Sequence, residues 1–317
     1  MSGGSKAFVS GAAGFIGSHL TERLLTDGYS VTGYDNLSSG RKEWLQPIVG
    51  DPRFTFIHAD LLDLETLTRT MQGHDVVFHL GANTDIPRGN THTKLDLENC
   101  TIATSNVLEA MRTNKVGKLL FASSAAVYGE APVYPTSEGA GPLLPISLYG
   151  AAKLACEGLI SAYSHLFGIQ AWMFRFGNVV GARMGHGVIY DFIAKLRRTP
   201  QELEILGDGK QEKNFFLVED CIEGIIFAFR NATENPCDVF NLGCESTTKV
   251  TEIGRIVAEE MGLADVGFRF TGGKRGWPGD APVVIFDASK IKGLGWTAKY
   301  TSSEAVRIAT QRLLGQE

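Results

Sequence analysis

The chain has 317 residues, of which 44% are hydrophobic and 21% charged, and its formal net charge is −5. This composition is typical of a soluble globular protein with a substantial core, and the negative charge argues against nucleic-acid binding. We find no apolar run of the roughly 20 residues that span a bilayer, no secretory leader, and no metal-ligand spacing among the five cysteines and seven histidines. We therefore expect a cytoplasmic protein with reduced thiols, no metal, and no membrane or nucleic-acid partner.

The first predicted elements are a buried strand at residues 7–10, a glycine-rich turn and a helix. The turn reads Gly11-Ala12-Ala13-Gly14-Phe15-Ile16-Gly17, one residue longer than the usual G-x-G-x-x-G spacing. Between a strand and a helix, these glycines allow close backbone approach to a pyrophosphate, and the helix N-terminus offers free N–H groups. The spacing therefore predicts a dinucleotide site.

The second predicted strand, at residues 30–34, leads into Asp35, 18 residues beyond Gly17. A carboxylate at this place accepts hydrogen bonds from the adenosine ribose and repels a 2′-phosphate. The sequence therefore predicts NAD rather than NADP as the cofactor.

Further strands at residues 54–58, 75–80, 118–122 and 169–176 alternate with helices at 64–71, 95–114 and 147–167. This alternation predicts an α/β fold of the Rossmann type, a doubly wound parallel sheet that binds ligands beyond the carboxyl ends of its strands. Polar residues follow those ends at Asp35, Asp60, Asn83, Ser123, Ser124 and Asn178.

The second half of the chain is predicted to be interleaved with the first. A helix at 218–229 and a strand at 238–243 return to the sheet, whereas helices at 188–198 and 251–261 lie elsewhere. We expect residues 1–176 and 215–244 to form the NAD-binding domain. Residues 177–214 and 245–317 then form a smaller C-terminal substrate lobe.

Tyr149 and Lys153 are four residues apart on the predicted helix at 147–167, and therefore share one face. A cation near a phenol favours the phenolate. The pair can thus supply a general base near neutral pH.

Taken together, these motifs resemble the extended short-chain dehydrogenase/reductases, and within them the nucleotide-sugar epimerases, above all the UDP-galactose 4-epimerases of the short archaeal type. The resemblance covers nearly the whole chain. It includes the glycine turn, residues 123–129, the Tyr149/Lys153 pair and residues 175–181, 187–192, 206–209, 275–280 and 286–290.

The resemblance implies that Tyr149 removes the proton from a sugar 4-hydroxyl while NAD takes the hydride from carbon 4. Lys153 is expected to hold the nicotinamide ribose and lower the pKa of Tyr149, and Ser124 to hydrogen-bond the same sugar oxygen. NAD should stay bound between turnovers. The expected cofactor contacts are Gly11, Gly14, Phe15, Ile16, Gly17, Asp35, Asn36, Asp60, Leu61, Gly81, Ala82, Asn99, Tyr149 and Lys153. The expected substrate contacts are Ser124, Tyr149, Asn178, Val188, Lys213, Arg275 and Asp280.

Three positions favour a neutral sugar and epimerisation. Dehydratases and decarboxylases of this family usually carry an acid where this chain has Ala125 and Ala126, and elimination needs that group. Epimerases of UDP-glucuronate often carry an arginine where this chain has Gly185. Arg183 or His186 remains a possible substitute for it.

The sequence therefore predicts interconversion of UDP-glucose and UDP-galactose. UDP-glucuronate and UDP-N-acetylglucosamine remain alternative substrates, and an NAD-binding scaffold without turnover remains the non-enzymatic alternative. The helices at 95–114 and 147–167 resemble the dimer-forming pair of this family, so the expected assembly is a homodimer.

Overall fold

The computed structural model describes residues 4–232 and 234–315. The strands are β1 (Lys6–Ser10), β2 (Ser30–Asp35), β3 (Phe54–His58), β4 (Val76–His79), β5 (Lys118–Ser124), β6 (Gln170–Phe176), β7 (Asn178–Val180), β8 (Glu202–Ile205), β9 (Glu212–Lys213), β10 (Phe215–Leu217), β11 (Cys237–Leu242), β12 (Thr248–Lys249), β13 (Gly267–Phe270) and β14 (Val283–Val284). The helices are α1 (Phe15–Thr26), α2 (Leu64–Met71), α3 (Ile86–Gly89), α4 (Ala103–Asn114), α5 (Leu148–Phe167), α6 (Val188–Arg198), α7 (Val218–Asn231), α8 (Val250–Glu260), α9 (Ser289–Gly293) and α10 (Ser302–Leu314).

Seven strands form one parallel sheet in the order β11-β6-β5-β4-β1-β2-β3. Side chains alternate across it: Ala7 and Val9 pack in the core shared with α1 and α7, whereas Phe8 packs in the core shared with α2, α4 and α5. Helices thus cover both faces, and the predicted Rossmann-type fold is confirmed. The strand order reverses between β1 and β4, where such sheets bind their ligands.

The smaller lobe has its own apolar core, built mainly by α6, α8 and α10 with β8 and β10. Strand β10 pairs with β7 and joins the two parts of the molecule. Phe215 and Leu217 pack in the smaller core, and Phe216 between them packs in the sheet core. Ile291 and Trp296 also pack in the sheet core, although they lie beyond residue 245. Residues of the C-terminal part thus contribute to the core around the sheet, and the two lobes do not separate cleanly at residue 245.

The helix predicted at 95–114 contains one irregularity, a π-helical turn at Leu97–Ile102 that runs into α4. A π-turn inserts one extra residue per turn, which a 3.6-residue hydrophobic pattern does not reveal. Here the turn sets Cys100 against Cys156 of α5, with 3.6 Å between their sulfur atoms. All five cysteines are free thiols, as the sequence predicts.

Candidate active site

The glycine turn forms a tight cradle between β1 and α1. Gly11 has a φ of +72°, which glycine adopts without strain. A Cβ on Gly17 would lie 1.9 Å from the carbonyl oxygen of Gly11, so no other residue fits there. Gly14 is the N-cap of α1, and Phe15 and Ile16 in the first turn pack against the sheet core. A helix N-terminus with closely packed glycine backbone fits a dinucleotide pyrophosphate.

Asp35 lies at the end of β2, directly beside this cradle. Its carboxylate accepts hydrogen bonds from the backbone N–H groups of Ala13 at 2.9 Å and Leu37 at 2.8 Å. Burial raises the pKa of Asp35, while these two donors act against the increase. A carboxylate has about four acceptor positions, so two remain for ribose hydroxyls. Next to it, Asn36 donates to Asp60 at 2.9 Å.

The other expected cofactor residues lie around the end of β4. A Cβ on Gly81 would lie 2.7 Å from Leu61, so these two residues are in close contact. Ala82 packs against the core next to Leu61. Asn99, in the π-helical turn, donates to the carbonyl of Leu95 at 3.1 Å. The structure thus brings Gly81 and Leu61 next to the glycine turn at the switch point of the sheet, where a Cβ on Gly11 would lie 2.8 Å from the backbone nitrogen of Gly81.

Beneath this site lies a fully buried histidine that the sequence analysis does not single out. His79 shares hydrogen bonds with Ser10 at 2.6 Å and Thr104 at 3.0 Å. Ser10 in turn accepts from the N–H of Gly81 at 3.3 Å. Burial lowers the pKa of His79 to about 3, and the charge of Lys153 acts in the same direction. His79 is therefore neutral and supports the backbone of the cofactor site.

Ser124, Tyr149 and Lys153 come together where β5 ends and α5 begins. Lys153 is 2% exposed. Its ammonium donates to the carbonyl of Ala122 at 2.6 Å and lies 5.8 Å from the centre of the Tyr149 ring. Ser147 caps α5 by accepting from the N–H of Gly150 at 3.0 Å, which places Tyr149 in the first turn. The predicted catalytic residues therefore share one small volume.

The net shift in the pKa of Tyr149 is opposite to the sequence-based expectation. Burial raises the pKa of its phenol, and this effect outweighs the opposing influence of Lys153 and of the Ser124 hydroxyl. Burial also acts to lower the pKa of Lys153, but Cys100, Tyr149, Cys156 and Glu157 together raise it above its usual value. Lys153 is thus a cation, but its charge alone does not make Tyr149 a phenolate.

Ser124 has a second role within the chain. Its side-chain oxygen accepts from the N–H of Ala126 at 3.2 Å and caps the short 3₁₀ turn at Ala125–Tyr128. A hydroxyl can accept at one lone pair and still donate its proton. The cap therefore orients Ser124 without preventing a hydrogen bond to a ligand. Ala125 and Ala126 supply no acidic group.

A buried ionic cluster lies one turn below Lys153. Glu157 accepts from Ser123 at 2.5 Å and from two nitrogens of Arg175, Nε at 3.0 Å and Nη2 at 2.7 Å. Arg175 also donates to the carbonyl of Glu138 at 3.1 Å and lies 4.7 Å from the Tyr128 ring centre. Glu157 is not among the residues predicted from the sequence to have a role, although its position four residues after Lys153 places it on the same helix face.

The expected substrate residues of the smaller lobe are largely paired with other residues of the chain. Lys213 forms an ion pair with Asp280, whose other oxygen accepts from the N–H of Gly276 at 3.2 Å. Arg275 lies 2.8 Å from Glu130. These pairs connect segments that are far apart in the sequence, and each of the two cations has an anionic partner within the chain.

The remaining candidates for sugar contact are arranged as follows. Asn178 donates to the carbonyl of Asn214 at 3.1 Å, and Val188, the first residue of α6, packs against the smaller core. Arg183 pairs with Glu22 of α1 at 2.6 Å. A Cβ on Gly185 would have the guanidinium of Arg41 3.8 Å away.

No group of three or more His, Cys, Asp or Glu side chains within residues 4–232 and 234–315 is arranged to bind a metal ion. Among the helices within the same residues, none combines the length and apolarity of a bilayer span.

Comparison with known proteins adds independent information. Residues 7–243 match the model of the NAD dependent epimerase/dehydratase family. The chain is 30% identical over 305 residues to a putative UDP-glucose 4-epimerase of Methanocaldococcus jannaschii, covering 94% of this chain and 95% of that one.

Two solved structures share the whole fold. A UDP-galactose 4-epimerase is 38% identical, with a TM-score of 0.88 and coverage of 98% of this chain and 99% of that one. A mutant UDP-glucuronic acid 4-epimerase from Bacillus cereus, in complex with UDP-4-deoxy-4-fluoro-glucuronic acid and NAD, is 28% identical. Its TM-score is 0.89, and the match covers 98% of this chain and all of that one.

Proposed function

Because this chain belongs to the NAD dependent epimerase/dehydratase family, we propose that it interconverts UDP-glucose and UDP-galactose through a 4-keto intermediate, with NAD tightly bound. One observation carries the proposal: Ser124, Tyr149 and Lys153 converge at the end of β5, next to the glycine cradle. An arrangement of phenol, ammonium and hydroxyl can move a proton on a sugar hydroxyl and hold the oxygen while its charge changes.

The chain holds NAD through its backbone and one carboxylate. The glycine turn and the start of α1 receive the pyrophosphate, and Asp35 receives the adenosine ribose. When bound, NAD supplies the acceptor for the hydride from carbon 4 and brings the positive charge of the oxidised nicotinamide ring.

The proton transfer is assigned to Tyr149. Its phenol oxygen takes the proton of the 4-hydroxyl and later returns a proton to the same oxygen. Lys153, fixed by the Ala122 carbonyl, stabilises the phenolate electrostatically. Ser124 donates to the sugar oxygen. Burial raises the pKa of Tyr149 in the protein. The additional cationic charge of the bound cofactor acts in the opposite direction and favours the ionised phenol.

A neutral hexose fits the sugar side best. Ala125 and Ala126 leave no acid for elimination, which disfavours dehydration and decarboxylation. Arg183 is held by Glu22. The guanidinium of Arg41 near Gly185 favours a uronate, so UDP-glucuronate belongs in the test.

The test is product analysis by NMR with purified protein and four substrates at matched concentration: UDP-glucose, UDP-galactose, UDP-N-acetylglucosamine and UDP-glucuronate. We expect UDP-glucose and UDP-galactose to interconvert without added NAD and with no dehydrated or decarboxylated product. A higher kcat/KM for UDP-glucuronate or UDP-N-acetylglucosamine would replace the neutral-hexose assignment.

The matched variants are Tyr149→Phe and Lys153→Ala. Each should lower kcat by roughly 10²–10⁴-fold, the usual contribution of general acid–base catalysis, while both variants keep their fold and Tyr149→Phe also keeps its bound NAD. Retention of NAD without turnover of any UDP-sugar by the wild type would favour the scaffold function.

We also propose that the protein is a cytoplasmic homodimer. The π-helical turn and the end of α5 expose the large apolar side chains Leu97, Ile102, Leu166 and Phe167, which are 50%, 42%, 72% and 49% exposed. Light scattering after size-exclusion chromatography should give twice the chain mass of 34.3 kDa. Phe167→Asp should shift it to the monomer.

A further inference from the structure

The buried carboxylate of Glu157 is the feature for which the proposed reaction leaves no role. Glu157 and Arg175 are 6% and 4% exposed, so both charges are removed from water. A buried pair of this kind is costly unless its geometry is good and its remaining hydrogen-bonding atoms are satisfied. Here the guanidinium forms two parallel hydrogen bonds to the carboxylate, the arrangement that fixes orientation most strictly.

The three residues of this cluster come from three elements that build the site. Ser123 immediately precedes Ser124 on β5, Arg175 is on β6, and Glu157 is on α5. Strands β5 and β6 pair directly, with Ser123 opposite Arg175. Glu157 therefore contacts the two strand ends from the helix that carries the proposed base.

Helix geometry connects this contact to the reacting group. Tyr149, Lys153 and Glu157 are spaced by four residues, so they lie along one face of α5. The rise of 1.5 Å per residue places Glu157 about 12 Å along the axis from Tyr149. A rotation of the helix about its axis, or a slide along it, moves all three side chains together.

We propose that Glu157 is a positioning residue: its bonds to Ser123 and Arg175 fix the rotation and depth of α5, so that Tyr149 and Lys153 face Ser124. This inference rests on the proposed function for its kinetic consequence, but the contact itself does not depend on the substrate. A misplacement of about 1 Å in such a site costs on the order of 100-fold in rate. The cluster thus acts on the chemical step and not on ligand affinity.

The test compares steady-state kinetics for UDP-glucose across a graded series of variants. Ser123→Ala removes one hydrogen bond, Arg175→Lys keeps the charge but loses the two-pronged contact, and Glu157→Gln removes the negative charge. We expect kcat to fall progressively in that order, roughly 10- to 100-fold for Glu157→Gln, while KM and the Kd for UDP stay within about twofold of the wild type. If Glu157→Gln fails to fold, the first two variants carry the test.

The matched control is Ile160→Ala, about one turn further along α5, which truncates a fully buried apolar side chain that takes no part in the ionic cluster. It lowers stability without touching Ser123 or Arg175, and its kcat should equal that of the wild type. The inference is overturned if Glu157→Gln keeps its kcat, if its KM rises while kcat does not change, or if Ile160→Ala loses as much kcat.

Hydrogen exchange measured by mass spectrometry separates this inference from the proposed function. Amides of residues 149–157 should exchange faster in Glu157→Gln than in the wild type, whether or not the wild type turns over a UDP-sugar. Wild-type protein without epimerase activity would refute the function alone. Unchanged exchange in Glu157→Gln would refute the positioning role alone.

Discussion

Acidification should destabilise this protein through His79, and the size of the effect follows from its burial. The unperturbed pKa of a histidine is 6.5, whereas His79 in the folded chain titrates at about 3. Between these values the unfolded chain binds a proton that the folded chain does not bind. Stability therefore falls as the pH drops below 6.5.

At pH 5 the difference covers 1.5 pH units, and each unit corresponds to about 1.4 kcal/mol, so the loss is about 2 kcal/mol. His79→Gln removes the titrating ring, while its amide can still bond to Ser10 or Thr104. The variant should be less stable than the wild type at pH 7. That deficit should shrink by about 2 kcal/mol at pH 5, because only the wild type loses the His79 contribution.

The assay is urea unfolding followed by tryptophan fluorescence at pH 7, 6 and 5, with the free energy of unfolding obtained by linear extrapolation. Contributions of other titrating groups cancel in the difference between variant and wild type. The control is His165→Gln, which makes the same substitution at a ring that lies at the surface. Parallel pH dependence of His79→Gln and wild type would refute the reasoning.

Further outcomes are expected at the cofactor and diphosphate sites. Gly17→Ala should lose most of its NAD, measured as cofactor released on denaturation, because its Cβ would overlap the Gly11 carbonyl; Gly158→Ala, with open space at its Cβ, should retain NAD. Asp35→Ala should narrow the preference for NAD over NADP in titrations of apoprotein, and an unchanged ratio would remove Asp35 from the ribose site. Arg275→Ala should raise KM for UDP-glucose at least about tenfold through a lost charge-assisted contact, whereas Glu130→Gln should lower it by freeing Arg275; equal KM values in both would contradict diphosphate binding at Arg275.

Local patterns in the sequence are sufficient to predict the sheet and the proximity of Tyr149 to Lys153. The glycine turn, the strand ends and the Tyr149/Lys153 face each depend on residues within a few positions of one another, where backbone geometry sets the outcome. The predicted helix at 188–198 has the observed bounds of α6 for the same reason.

Long-range pairing is what the sequence does not reveal. Lys213 meets Asp280 across 67 residues and Arg183 meets Glu22 across 161, and no local pattern specifies either pair. The raised pKa of Tyr149 likewise depends on burial by several elements at once. Arg175 is a signal in the sequence for the buried ion pair, because a charged residue in an otherwise apolar strand requires a buried partner. Glu157 lies four residues after Lys153 on the same helix face and is therefore a candidate for that partner.

Strand β11 is synthesised well after β6, its partner in the sheet, and this delay has a consequence for the nascent chain. It pairs with β6 along its whole length, yet the 60 residues after Phe176 separate them in the chain. At bacterial and eukaryotic translation speeds, roughly 3–12 s pass between their syntheses. During that interval the edge of β6 is unpaired, and Trp172 and Phe174 lack the cover of α7. The nascent chain therefore exposes an apolar sheet edge of the kind that aggregates until residue 242 emerges and β11 can pair with β6.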